Sequence, residues 1–171
     1  MPTGARRNPL VAVDTNVLLD RANDDDLVID ALTTIRQRLP ACEFIVTPTV
    51  IEEVVLKAEG DDLPVDRRLA RRVLASLVHP WGFRMLSFIP VGRGIVAEIA
   101  SRLRRQGLIP DSEMNDSLIV AEAALVGATL LVSSDAHIKD LDYTRLKLVL
   151  DSADCDTPLL ASPYKIVTQF F

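Results

Sequence analysis

The apolar residues of this chain fall into two patterns. Some form short continuous runs without alternation, at residues 10–14, 43–46, 85–89 and 130–133. Runs of this kind, rich in Val, Ile and Leu, predict strands buried on both faces. Elsewhere apolar positions recur at helical spacing. Leu27, Leu32, Ile35 and Leu39 mark a helix over 27–39, which Pro40 stops. Further helices are expected over 15–20, 50–58, 65–78, 92–106 and 117–127, with a short one from Ala136. Two more strands are expected at 147–150 and, as a last edge strand, at 164–168, separated by a polar loop over 151–158. Strands alternating with helices predict an α/β fold, a three-layer α/β/α sandwich around a mainly parallel sheet with right-handed crossovers. Its central strands are expected at 11–14, 43–46 and 130–133.

Composition narrows the class. The 171 residues suit a single domain over 1–171 and supply enough apolar side chains for a core, at 49% hydrophobic and 25% charged. Residues 1–9 are polar and carry Arg6-Arg7 with no apolar segment behind them, so neither a signal peptide nor a membrane span is expected. Cys42 and Cys155 form no CxxC pair, which points to a reducing cytoplasm. With only His79 and His137 in the chain, a His/Cys zinc site is not expected. A net charge of −5 excludes a protein that grips nucleic acid by bulk charge alone. It leaves room for a local strip: Arg67, Arg68, Arg71 and Arg72 share one helix face, which is either solvated or phosphate-contacting. Trp81 is expected to pack rather than to stack on a base.

The acidic residues carry the candidate chemistry. Asp14 stands where the first strand ends, and Asp135 just beyond the run that closes in Ser133-Ser134. Each could simply cap the next helix. However, other carboxylates return to the same edge. Glu52 and Glu53 occupy the first turns of a helix so apolar that one of them must face inward. Asp116 shares a face with Val120, Ala123 and Gly127, at the entrance of a stripe small enough to pack on a sheet. Glu113 shares that face if the helix begins by Ser112. Glu122 lies off the stripe and is expected in solvent. Four carboxylates gathered at one sheet edge repel one another unless a cation neutralises them. Oxygen donors without His or Cys suit Mg²⁺ or Mn²⁺, which activate water and steady charge on a phosphodiester. No Ser, Cys or His nucleophile set competes.

Together, Val-Asp14-Thr-Asn-Val-Leu, Val-Ile-Glu-Glu53-Val, Asn-Asp116-Ser-Leu-Ile-Val-Ala-Glu-Ala and Leu-Val-Ser133-Ser-Asp135 resemble a PIN domain, closest in flavour to the VapC-like toxins. The resemblance runs from Val11 to about residue 150. It implies a metal-dependent endoribonuclease of PIN-like fold that hydrolyses RNA phosphodiester bonds, with RNA as substrate and, for a toxin, an antitoxin protein as partner. Its acids fall on Asp14, Glu53, Asp116 and Asp135, both catalytic and metal-binding; Glu53 is chosen over Glu52 because the family's acid directly precedes the aliphatic residue, here Val54. Its small polar partners fall on Thr15 or Asn16 and on Ser133, and Glu113 is a further supporting acid. Against a minimal toxin the chain has a helical insert at about 59–85 and an extended tail at about 151–171. The resemblance, the apolar-rich chain and the insert together lead us to expect a homodimer.

Other readings fit less well. A HAD-type phosphatase needs a second Asp two positions after the first, where this chain has Asn16. A receiver domain needs paired acids before its first helix, and Asp14 has no acidic neighbour in the opening run. The alternative of a different class is a PIN scaffold that binds RNA or a protein without cutting.

Overall fold

The computed structural model describes residues 8–61 and 63–169. The Arg6-Arg7 pair, Asp62 and the final Phe170-Phe171 lie outside the described residues. In chain order the elements are β1 (Leu10–Val13), α1 (Thr15–Ala22), α2 (Asp26–Arg38), β2 (Glu43–Val46), α3 (Pro48–Glu59), α4 (Pro64–Ser76) and β3 (Arg84–Met85). They continue as α5 (Pro90–Arg105), α6 (Met114–Leu125), β4 (Leu130–Val132), α7 (Ala136–Lys139), α8 (Tyr143–Asp151), β5 (Leu159–Ala161) and α9 (Pro163–Gln169).

The five strands form one sheet in the order β3-β2-β1-β4-β5, and every neighbouring pair is parallel. Parallel strands need covered faces, and helices supply the cover, giving the α/β/α sandwich. β1 lies at the centre, and its Val11, Ala12 and Val13 are buried. Its register is fixed on both sides: Val11 stands opposite Phe44 and Leu130, and Val13 opposite Val132. The chain builds outward from β1 through β2 to β3, then returns to lay β4 against the other side of β1. The order therefore reverses between β1 and β4, and ligand crevices of open α/β sheets form at such a point, beyond the carboxyl ends of the strands. Among the described residues no helix is long and apolar enough to cross a membrane.

Three expected strands differ from the structure. Residues 147–150 belong to helix α8, which Asp142 caps by accepting the Arg145 N–H at 3.0 Å. Leu146, Val149 and Leu150 face the core at spacings of three and four, while Leu148 is exposed. Residues 164–168 belong to helix α9, whose Pro163 and Ile166 are buried against the body and which packs on α2. The sheet edge is closed by β5, only three residues long, paired to β4 from Leu130↔Leu159 to Val132↔Ala161. Of the 85–89 run only Met85 joins the sheet, beside Arg84, because Pro90 opens α5 soon after. The tail thus supplies both a strand and a packed helix.

The helix that follows β3 is closed as expected, with Gly107 at a left-handed φ of 67°. Trp81 is buried, and the Arg21 guanidinium lies 4.8 Å from its ring centroid. The arginine face of α4 is partly committed: Arg72 pairs with Asp24 at 2.7 Å and donates to the Ala22 carbonyl, and Arg71 donates to the Ala58 carbonyl.

Candidate functional site

The acids meet at the strand-order reversal. Asp14 directly follows β1, and its N–H donates to the Val132 carbonyl at 3.0 Å, so its backbone continues the β1–β4 pairing. Its side chain is only 3% exposed. One carboxylate oxygen accepts the Thr15 N–H at 2.6 Å and the other accepts the Ser133 hydroxyl at 2.7 Å. Asp14 does cap α1, but a surface cap needs neither such burial nor a second donor from another strand. Burial pushes the Asp14 carboxyl up to about 6, against the pull of the Ser133 and Thr15 donors; the charges of Glu53 and Asp116 push it further the same way.

Glu53 approaches from α3. It accepts the Thr15 hydroxyl on one oxygen and the Asn115 amide N–H, at 2.7 Å, on the other. Glu52, one residue earlier, is exposed. Asp116 lies in the first turn of α6, its side chain 15% exposed. Burial lifts its carboxyl to about 6, with the charges of Asp135, Glu113 and Glu53 adding to the effect and His137 opposing it. Asp135 caps α7, accepting the His137 N–H at 2.7 Å, while its own N–H donates to the Ser133 hydroxyl oxygen at 3.0 Å. Ser133 therefore joins Asp14 and Asp135. Glu113, at the N-cap of α6, is half-buried beside Asp116. Asn16 is exposed and, among the described residues, its side chain bonds to none of these acids.

Two neighbours carry weight that the sequence did not signal. Asn115 holds Glu53, and its position beside Asp116 was its sole hint. His137 places Nδ1 3.4 Å from Asp116 Oδ2 and 3.5 Å from Asp135 Oδ1. With two histidines in the chain, counting ligands of the zinc kind could not find it.

Glu122 corrects an expectation. It is buried, 4% exposed, rather than in solvent. Its carboxylate accepts the Thr49 N–H at 3.1 Å and the Thr49 hydroxyl at 2.8 Å. Thr47, the N-cap of α3, makes no capping bond, so Glu122 on α6 satisfies an orphan donor of α3 in its place. Burial pushes its carboxyl up. The bond ties the helix bearing Glu53 to the helix bearing Asp116.

The group fits a divalent cation. Among the described residues no hydrogen bond reaches the buried Asp116 Oδ2, and such an atom is costly unless something charged meets it. Glu113, Asp116 and His137 each offer one donor atom, all within 4.8 Å of one another. Bound near these acids, a cation would offset the cost of holding charge at Asp14 and Asp116, which burial sets and their acidic neighbours add to.

The family model of the PIN domain matches residues 11–143 of the chain. A chain of the VapBC2 structure from Rickettsia felis, bound to a promoter DNA fragment, superposes with a TM-score of 0.60 at 16% identity, covering 90% of this chain and 98% of that one. FitAcB from Neisseria gonorrhoeae gives 0.57 at 18% identity, covering 90% and 98%. VapBC-1 from nontypeable Haemophilus influenzae gives 0.57 at 15% identity, covering 91% and 99%. At these identities the likeness is one of fold. No curated protein sequence matches the chain.

Proposed function

Because the chain belongs to the PIN domain family, we propose that it is an Mg²⁺- or Mn²⁺-dependent endoribonuclease. The observation that supports this most is the meeting of Asp14, Glu53 and Asp116 at the strand-order reversal, with Asp135 beside them and a buried Asp116 oxygen left without a partner. In this reading Asp14, Glu53, Asp116 and Asp135 hold the ion and are the catalytic set, with Thr15, Ser133, Asn115 and Glu113 in support. A bound ion supplies a water activated as nucleophile and a counter-charge for the phosphodiester as it is cut.

The chain's own residues set the geometry. Ser133 and Thr15 fix the two oxygens of Asp14. Asn115 and Thr15, each donating to one oxygen, fix the Glu53 carboxylate against rotation. Ser133 also orients the Asp135 backbone. Carboxylates held this way lose little freedom when the substrate and ion arrive.

The VapBC and FitAcB likenesses extend the proposal to a toxin held by an antitoxin protein in the cytoplasm. We also propose a homodimer; the exposed Ile89, Val91 and Ile95 on and before α5 offer an apolar face for it. The deciding experiment incubates structured and single-stranded RNA with the protein under chelator, Mg²⁺ and Mn²⁺. Cleavage that needs metal and disappears in Asp14→Asn supports the nuclease. RNA binding without cleavage under every ion supports the scaffold instead.

A further inference from the structure

We infer that His137 is a metal ligand of this site, and that its imidazole nitrogen joins the carboxylates of Asp116 and Glu113 around one ion. This rests on the metal-dependent reading above and adds to it a nitrogen donor among the oxygens.

The geometry carries the inference. Asp135 accepts the His137 N–H at the first turn of α7, and that turn directs the ring back toward α6. Nδ1 then lies 3.4 Å from Asp116 Oδ2. The two atoms are within ion-pair distance, and among the described residues no hydrogen bond reaches Asp116 Oδ2. At that separation one cation could be reached by both atoms. Ligands in adjacent positions of an octahedral ion with bonds of about 2.1 Å stand about 3 Å apart, and opposite ones about 4.2 Å. The 3.4 Å between Nδ1 and Asp116 Oδ2 falls in that range, and the Glu113 donor lies within 4.8 Å of an Asp116 oxygen and a His137 ring nitrogen.

The rest of the ring's surroundings agree. Asp135 Oδ1 is 3.5 Å from Nδ1, and it is already occupied by the His137 backbone N–H at 2.7 Å. The His137 side chain is 43% exposed, so solvent reaches the rest of the ring. An imidazole suits the later divalent ions better than Mg²⁺, whereas carboxylates alone suit Mg²⁺ well. His137 therefore biases the site toward Mn²⁺ over Mg²⁺.

The test is spin-echo spectroscopy of bound Mn²⁺ with isothermal titration of Mn²⁺ and Mg²⁺, on the full chain. The wild type is expected to show nitrogen modulation from a coordinated imidazole. His137→Gln is expected to lose it while still binding Mn²⁺, about ten- to a hundredfold more weakly, with Mg²⁺ affinity nearly unchanged. His79→Gln, which changes the other histidine of the chain, keeps the modulation. Mn²⁺ bound by the wild type without nitrogen modulation overturns the inference and leaves the carboxylate site standing. No Mn²⁺ binding by the wild type overturns both. Because His137 is exposed and its ring is outside the core, the variant is expected to fold, and its melting curve in chelator checks that.

Discussion

Ser133 and Asp14 stand 119 residues apart in the sequence and 2.7 Å apart in the fold, hydroxyl to carboxylate. The bond joins the first residue beyond β1 to the first beyond β4, where paired strands run out together. It holds a carboxylate that burial has already lifted to about 6, from 3.8 for the free side chain.

A folded state that holds this proton more tightly than the unfolded chain loses stability as pH rises. The loss begins near the unfolded value of about 4 and is complete above the folded value of about 6, where it amounts to roughly 3 kcal/mol. Asp14→Asn removes the charge and keeps the shape. In chelator near neutral pH the variant is expected to melt higher, by roughly 2–4 °C for each kcal/mol recovered, and to gain little near pH 4. A variant that melts lower at both pH values makes Asp14 a structural cap only.

Metal binding carries its own pH signature. Asp14 and Asp116 both sit at about 6 in the metal-free protein, so below that pH an ion must displace their protons. Affinity for Mn²⁺ is expected to be flat above about pH 7 and to fall below pH 6, by up to about a hundredfold per pH unit if both protons leave. Titration calorimetry across that range reads the slope. An affinity unchanged down to about pH 5 removes these two residues from the ion.

The two adjacent glutamates should behave differently. Glu53 is held by Thr15 and Asn115, whereas Glu52 is exposed. Glu53→Gln is expected to slow RNA cleavage at least about a hundredfold, a loss of the size seen when groups around a metal are altered. Glu52→Gln should change it little. The reverse ranking in cleavage kinetics would exchange their roles.

Glu122 is expected to matter for stability. Ala in its place leaves the Thr49 N–H and hydroxyl unpaired inside the protein and opens a cavity, at a cost of about 2–4 kcal/mol. Gln keeps the volume and one acceptor, and should cost about half as much. Urea unfolding of both variants measures the difference. Equal stability of Ala and wild type would mean that α3 finds its cap elsewhere.

The sequence was most legible where local pattern and tertiary role agree. The apolar runs at β1, β2 and β4 are strands whose residues are buried on both faces, as parallel strands covered by helices on each side require. It was least legible where short apolar runs fit either structure. Residues 147–150 look like a strand in isolation, but Asp142 ahead of them and the spacing of Leu146, Val149 and Leu150 make a helix. The three residues of β5 are too few to show any period, and they are a strand because the edge of β4 is there to receive them. Glu122 is buried against the pattern of its own helix because a carboxylate's fate depends on the donors facing it, and Thr49 arrives from a different helix 73 residues away. Asp14, Asp116 and Asp135 could be placed on one edge from topology alone. The closeness of His137 to Asp116 could not, since it depends on how a four-residue helix turns back.

A ribosome delivers β1 early and β4 late. Until residue 133 has emerged, Asp14 does not have the Ser133 hydroxyl to meet, the fourth strand has not reached the centre of the sheet, and Asp135 is still inside the ribosome. Contacts between distant parts of a chain form only after the intervening loop has closed. The acids therefore come together only after residue 135 is available to the fold, and a chain that stops short of it leaves the set incomplete. For a protein proposed to cut RNA, this spacing separates the making of the chain from the onset of its chemistry.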